Sequence, residues 1–97
     1  MQTLIAIREQ IDAIDKQIIH LLNERVGLAY EVAEIKSRTS VSALTDVRRE
    51  EEIVQALMRQ AKDPVLTDAI PDLYRRIFRM SKKIRMLMST KKSCLSS

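Results

Sequence analysis

The sequence predicts an all-α protein with three helices per chain, a very long first helix, and an intertwined homodimer that forms a six-helix bundle. Its 97 residues include one glycine and two prolines, too few for the turns of a β-fold. Good helix formers such as Leu, Ile, Glu, Lys, Arg and Ala are abundant. A chain of this length forms one domain, predicted over residues 1–90, with residues 91–97 as a polar, disordered tail.

The first helix is predicted from about Thr3, a suitable N-cap, to about Lys36. Apolar residues recur there in steps of three and four from Leu4 to Ile35, and Arg25 occupies the one polar rung. Such a helix is ~50 Å long, whereas a compact domain of this size has a radius of gyration of only about 13 Å. The apolar face of this helix would extend beyond the domain and be exposed to water unless a second chain buried it. The sequence therefore predicts an obligate homodimer.

Residues 37–45 contain five hydroxyl side chains, which compete with the backbone for hydrogen bonds, so this segment is predicted as a loop. A second helix is predicted from near Thr45 or Asp46 to near Lys62. Its apolar residues are expected to point inward: Val47, Ile53, Val54 and Leu57.

A third helix is predicted to begin with a cap at Thr67 or Asp68, with Pro71 in its first turn, and to end near Ser89. The face expected to be buried comprises Ile70, Tyr74, Ile77, Phe78, Ser81, Ile84 and Met88.

Charge is distributed unevenly along the chain. Residues 73–97 carry eight Lys or Arg and no acid, while the rest carries nine against thirteen acids. Such a basic segment suits an anionic partner, either a nucleic acid, a membrane surface or a small acid, or is simply a solvated surface. The lone Cys94 cannot form an internal disulfide, and no run of about 18 apolar residues is present, so a soluble, cytoplasmic protein is expected.

Ordinary catalytic groups are scarce. The single histidine, His20, has no cluster of ligands around it, so neither a metal nor another cofactor is expected. A single glycine excludes a glycine-rich phosphate loop, and no nucleophile with a neighbouring base is visible. Arg25, however, lies on the apolar seam, where it needs an anion. That anion is either a ligand or a carboxylate from another helix that fixes the dimer register.

Lys36 follows Arg25 by 11 residues, about three helical turns, so both cations lie on one stripe and could grip one molecule. Arg8 precedes Arg25 by 17 residues, which places it ~25 Å away on a different side of the helix. In an antiparallel dimer, Arg8 would instead reach the Arg25 end of the other protomer, giving two equivalent sites.

Further candidates lie on the other two helices. Asp46, Arg49 and Glu50 share one face of the second helix, either as site residues or through local pairing and helix-terminal charge. On the third helix, Ser81 and Arg85 are four residues apart on the predicted buried face.

Three segments together resemble the all-helical chorismate mutases: LIAIREQIDAIDKQIIHLLNERVGLAYEVAEIK, TDVRREEEIV and LYRRIFRMSKKIRML. The resemblance covers residues 4–88. It implies a dimer of three-helix chains that converts chorismate to prephenate, a unimolecular rearrangement without nucleophile, metal or proton transfer. Such a protein selects a compact substrate conformer and stabilises the charge that grows on the ether oxygen.

The resemblance also implies roles for individual residues. Arg25 and the partner subunit's Arg8 would hold the two carboxylates, with Ser81 assisting, and Lys36 would donate to the ether oxygen and a carboxylate.

On the remaining elements, Asp46 and Glu50 would orient the ring hydroxyl and Arg49 would support the charge network. Arg85 stands where the family usually has Gln or Glu, a second donor to the ether oxygen, and an arginine can donate that bond.

Other functions remain open from the sequence. An isochorismate pyruvate-lyase, which releases salicylate, resembles this fold and cage, although the Arg49–Glu50 pair favours the mutase. An enzyme acting on the amino analogue of chorismate is a further option. From other classes come a nucleic-acid-binding module and a purely structural dimerisation module. The expected partners are a small dianion and a second copy of the chain, with neither nucleic acid nor membrane.

Overall fold

The computed structural model describes residues 2–38 and 47–96, and the side chains within 2–38 and 47–88. These residues form three helices: α1 (Leu4–Arg38), α2 (Val47–Gln60) and α3 (Pro64–Ser96). No strand occurs in these stretches, so the predicted all-α class with a long first helix is confirmed. Expectations for residues 39–46, including those for Asp46, lie outside the described residues.

The beginning of α1 matches its prediction. The Thr3 hydroxyl accepts a hydrogen bond of 3.1 Å from the backbone N–H of Ala6, and the Thr3 carbonyl accepts one of 3.0 Å from Ile7. Thr3 is therefore the N-cap, and its side chain satisfies an N–H that has no partner within the helix. From there α1 continues for 35 residues, a length of about 52 Å.

The end of α1 lies beyond the predicted boundary. Ser37 and Arg38, expected in the loop, are helical, because both bond to Glu34 on the preceding turn. The Ser37 hydroxyl donates to the Glu34 carbonyl over 2.7 Å, and the Arg38 guanidinium pairs with the Glu34 carboxylate. A hydroxyl residue in this position bonds locally without ending the helix.

The predicted cap of α3 at Thr67 or Asp68 is wrong. Asp63 is the cap, since its carboxylate accepts a 2.8 Å hydrogen bond from the backbone N–H of Val65. Pro64 then occupies the first helical position, where a missing N–H costs nothing.

Because α3 begins at Pro64, Pro71 lies inside the helix and not in its first turn. The backbone of α3 remains helical to Ser96, beyond the predicted end near Ser89, and neither Pro nor Gly follows Pro71 in the sequence.

α3 is the central element. It contacts α1 and α2, whereas α1 and α2 do not contact each other within the described stretches. Ile70, Ile77 and Ile84 of α3 are buried at seven-residue spacing, and Ala33 of α1 is buried with them. The rest of the predicted buried face is half-buried: Tyr74, Phe78, Ser81 and Met88. The helical period thus predicted the face of α3 that packs inward.

Most of the apolar seam of α1 is exposed in the single chain. The side chains that form it are 41–61% exposed: Leu4, Ile7, Ile11, Ile14, Ile18, Leu21, Leu28, Val32 and Ile35. The predicted inward position of Val47 is wrong for one chain, because this residue at the start of α2 is exposed as well. The radius of gyration is 17.6 Å, well above the ~13 Å of a compact domain of this length, so one chain does not enclose its own first helix.

None of the three helices, over the parts that the structure describes, is long and apolar enough to cross a lipid bilayer.

Candidate active site

A cleft of about 350 Å³ is lined by side chains of all three helices. Six predicted site residues with polar side chains line it: Arg25, Lys36, Arg49, Glu50, Ser81 and Arg85. Apolar side chains form the rest of its wall: Leu28, Ala29, Val32, Ile53 and Phe78. Residues that are up to 60 positions apart in the sequence thus share one small volume, two from each helix among the polar ones.

Arg25 is half-buried and is held by two side chains of α3. One guanidinium nitrogen donates a 3.1 Å hydrogen bond to the Ser81 hydroxyl, and the guanidinium carbon lies 5.9 Å from the centre of the Phe78 ring. Both partners are neutral, and Arg25 makes no salt bridge to any carboxylate of the described part of its chain. The carboxylate partner considered from the sequence is therefore not supplied by these residues.

The charge of the cleft is strongly positive. Among the described residues, Arg25, Lys36, Arg49 and Arg85 bring four cations, and Glu50 brings one carboxylate. A net charge of +3 in a partly enclosed volume attracts a small polyanion, and guanidinium groups bind carboxylates with two parallel hydrogen bonds.

The second helix separates its charged residues between two faces. Arg48 and Glu52 pair on the exposed face over 3.4 Å, and the Arg48 side chain is 91% exposed. Glu50 is half-buried, lines the cleft, and takes no part in an ion pair among the described residues. Local pairing on α2 thus involves the neighbouring residues, and the Glu50 carboxylate faces the cavity.

One predicted site residue, Arg8, does not line this cleft in the single chain. Arg8 is exposed on the N-terminal half of α1, far along the helix from Arg25, as its spacing predicts. Asp46 lies outside the described residues.

Phe78 was assigned from the sequence to the core alone, and its contact with Arg25 was missed. A signal was present, because Phe78 lies three residues before Ser81 and therefore on the same side of α3.

His20 lies away from the cleft. Its Nε2 atom is 3.2 Å from the Glu24 carboxylate, one turn along α1, and its side chain is exposed. Among the side chains of residues 2–38 and 47–88, no group of three His, Cys, Asp or Glu is arranged to hold a metal ion.

Together, the fold and the cleft define an all-helical protein with a cationic binding cavity. The model of the family described as chorismate mutase type II matches residues 7–86. The chain belongs to this family.

Relatives carry names that agree with the family. A chorismate mutase of Methanocaldococcus jannaschii is 36% identical over 63 residues, which are 65% of this chain and 63% of that protein. A T-protein of Enterobacter agglomerans is 37% identical over 79 residues, 80% of this chain and 21% of that protein. A bifunctional chorismate mutase/prephenate dehydratase of Aquifex aeolicus is 40% identical over 63 residues, 65% of this chain and 17% of that protein. The chain thus spans about a fifth of the longer relatives that it matches.

Proposed function

We propose that this chain is a chorismate mutase, an isomerase that converts chorismate to prephenate. The observation that carries the proposal is the meeting of four cations and one half-buried carboxylate in a single cleft. Chorismate offers matching groups, namely two carboxylates, an ether oxygen and a ring hydroxyl.

The reaction places few chemical demands on the protein. Within one molecule, the ether C–O bond breaks while a C–C bond forms, and no atom is exchanged with solvent or enzyme. The site must therefore hold the flexible dianion in its compact conformer and stabilise the negative charge that develops on the ether oxygen. A cleft lined by several cations supports both tasks without a nucleophile or a base.

In this proposal the α1 cations hold the side chain of the substrate. Arg25, already oriented by Ser81, binds one carboxylate. Lys36, half-buried in the same cleft, donates to the ether oxygen and to a carboxylate. The partner's Arg8 binds the remaining carboxylate from across the interface.

The other helices supply the ring contacts. Glu50, half-buried in the cleft wall and without an ion pair among the described residues, accepts the hydrogen bond of the ring hydroxyl. Arg85 is a second donor to the ether oxygen, and Arg49 supports the charge network from the cleft wall. Asp46 assists in orienting the ring hydroxyl.

The proposal includes a homodimer, in which both chains contribute to each site. Its support is the exposed seam of α1, since a row of nine large apolar side chains at 41–61% exposure is costly in water. A partner's α1 laid along this seam would cover it and bring Arg8 toward the other chain's cleft. Sedimentation equilibrium is expected to give twice the chain mass of 11.2 kDa.

The activity is tested by offering purified protein chorismate and isochorismate in separate reactions. We expect prephenate from chorismate and neither salicylate nor pyruvate from isochorismate, as followed by chromatography and proton NMR. Formation of salicylate from isochorismate would show that the protein is an isochorismate pyruvate-lyase and not a mutase. Turnover of neither compound, together with salt-sensitive binding of DNA, would reject an enzyme altogether.

A further inference from the structure

We propose that Phe78 is a positioning residue for Arg25. The guanidinium of Arg25 lies over the face of the Phe78 ring. This contact leaves the N–H groups in the guanidinium plane for a ligand carboxylate. The kinetic part of this inference rests on the proposed mutase function, whereas the geometric part does not.

The geometry restrains Arg25 from two sides. The guanidinium carbon is 5.9 Å from the centre of the Phe78 ring, within the ~6 Å over which a cation is attracted to an aromatic face. The Ser81 hydroxyl takes one hydrogen bond at 3.1 Å. Arginine has about five N–H donors, so most of its donors are not used by these two contacts.

A neutral ring suits this task better than a carboxylate would. Asp or Glu in the place of Phe78 would bind the in-plane edge of Arg25, the edge that binds a substrate carboxylate, and would cancel its charge. An aromatic face attracts a cation without competing for its N–H groups. With a ring at position 78, the positive charge of Arg25 is not neutralised by this residue, and its N–H donors can bind the ligand.

Phe78 is itself supported by a second aromatic ring. Tyr74, one turn earlier on α3, meets it edge to face, with ring centres 5.6 Å apart and planes at 64°. Such pairs are stabilising beyond the area that they bury. The chain has only three aromatic residues, and two of them form this support behind Arg25.

The ring also forms a wall of the cleft. Phe78 lines the 350 Å³ cleft and also a second groove between α2 and α3, in which Pro71 and Val54 are apolar neighbours. Charged side chains, among them Glu51 and Lys82, also line this groove, so the half-buried ring separates the two cavities.

The first test measures the Arg25 side chain directly. In nitrogen–proton NMR spectra of the full chain, the Arg25 Nε–Hε signal of the wild type is expected to carry a ring-current shift. Phe78→Leu keeps an apolar side chain but removes the ring, so this shift is lost, and Phe78→Tyr, which keeps the ring, retains it. An Arg25 signal that is unchanged in Phe78→Leu overturns the inference, whether or not the protein acts on chorismate.

The second test is kinetic. Loss of a cation–ring contact is expected to raise KM for chorismate roughly 2- to 5-fold with little change in kcat, because Arg25 holds a carboxylate in both ground and transition states. Phe78→Tyr is expected to restore the wild-type KM. Ile70→Val shortens a buried side chain on the same helix, distant from the cleft, and serves as the control for lost stability.

The outcomes separate the two proposals. If Phe78→Leu and Ile70→Val raise KM alike, Phe78 has only a structural role and the inference is wrong. If the wild type does not convert chorismate, the proposed function fails, and the NMR comparison still decides whether Phe78 positions Arg25.

Discussion

At the scale of single residues, Arg25 is the cleft cation whose contacts are best defined. Its half-buried guanidinium is held by a hydroxyl and a ring, neither of which carries a negative charge. Desolvating such a charge is unfavourable unless an anion compensates it. Among the described lining residues, three further cations and one carboxylate accompany Arg25, a composition that suits a ligand with more than one negative charge.

Replacing Arg25 with Ala is expected to lower kcat/KM roughly 100-fold or more, since losing one partner of an enclosed charge pair costs about 3 kcal/mol. The matched control is Arg48→Ala, which removes an arginine that faces solvent beside the cleft residue Arg49. Steady-state kinetics and sedimentation together check that turnover is lost while the subunits remain associated. Equal activity of both variants would exclude Arg25 from the site.

Replacing Lys36 with Ala is expected to raise the barrier by about 3 kcal/mol through a lower kcat, as loss of a preorganised donor to a developing anion does. Arg38→Ala is the control, because it removes a nearby α1 cation that pairs with Glu34. Measuring the rate up to saturating chorismate gives kcat and KM separately. A higher KM at unchanged kcat would mean that Lys36 binds the ground state only and does not assist at the ether oxygen.

At the scale of the elements, the boundaries of α3 show how a cap is selected. Asp63, Thr67 and Asp68 are all suitable N-cap residue types, and only one precedes a proline. Pro64 fits the first helical position because its φ angle is already helical and its missing N–H is not needed there. The competition between caps is thus decided by the neighbour of Asp63.

Asp63→Ala is expected to lower the free energy of unfolding by about 1 kcal/mol, the usual cost of losing an N-cap. Asp68→Ala is the control and is expected to change stability by less than about 0.5 kcal/mol, since the exposed Asp68 does not cap the helix. Urea unfolding at one fixed protein concentration compares the two variants. A larger effect at Asp68 would place the start of α3 at the position first predicted from the sequence.

The helices and their buried faces could be predicted from the periodic spacing of apolar residues. Where several residues could serve as a cap, or several groups as a contact, the sequence did not show which one is used. Apolar residues that recur every three or four positions define α1. The 11-residue spacing of Arg25 and Lys36 places both in the wall of the same cleft. The contact between Arg25 and Phe78 was not predictable in this way, because periodicity identifies the side of a helix on which a ring lies and not the group that it touches. Val47 fits the inward pattern of α2 but is exposed, since burial also depends on the neighbouring elements.

At the scale of the whole molecule, the two halves of the long helix α1 lie in different surroundings. Its C-terminal half packs on α3, through Leu22, Val26 and Ala29 beside Ile77 and Ile84, whereas its N-terminal half extends beyond. Arg8 lies on that extension and is exposed, and in the proposed dimer it belongs to the other subunit's site.

Subunit complementation tests the shared site. Arg8→Ala and Arg25→Ala homodimers are both expected to be inactive, because each lacks one carboxylate anchor at both sites. When the two are unfolded together in equal amounts and refolded, half of the dimers are mixed, and each mixed dimer has one site with both arginines. Activity is therefore expected to return to about a quarter of the wild-type value for a two-fold dimer of this kind. No recovery, with mixed dimers shown by mass spectrometry, would place both arginines in the same subunit's site.

If the proposed dimer forms along the exposed seam of α1, folding depends on protein concentration. Ala33, Ile70, Ile77 and Ile84 are the only buried side chains among the described residues, so an isolated subunit has a small core. Its melting temperature is expected to rise with protein concentration, and specific activity to fall on dilution below the dissociation constant. Scanning calorimetry at several concentrations checks the first expectation. For a cell, the amount of this chain that is synthesised would then set the fraction that is folded as well as the number of catalysts.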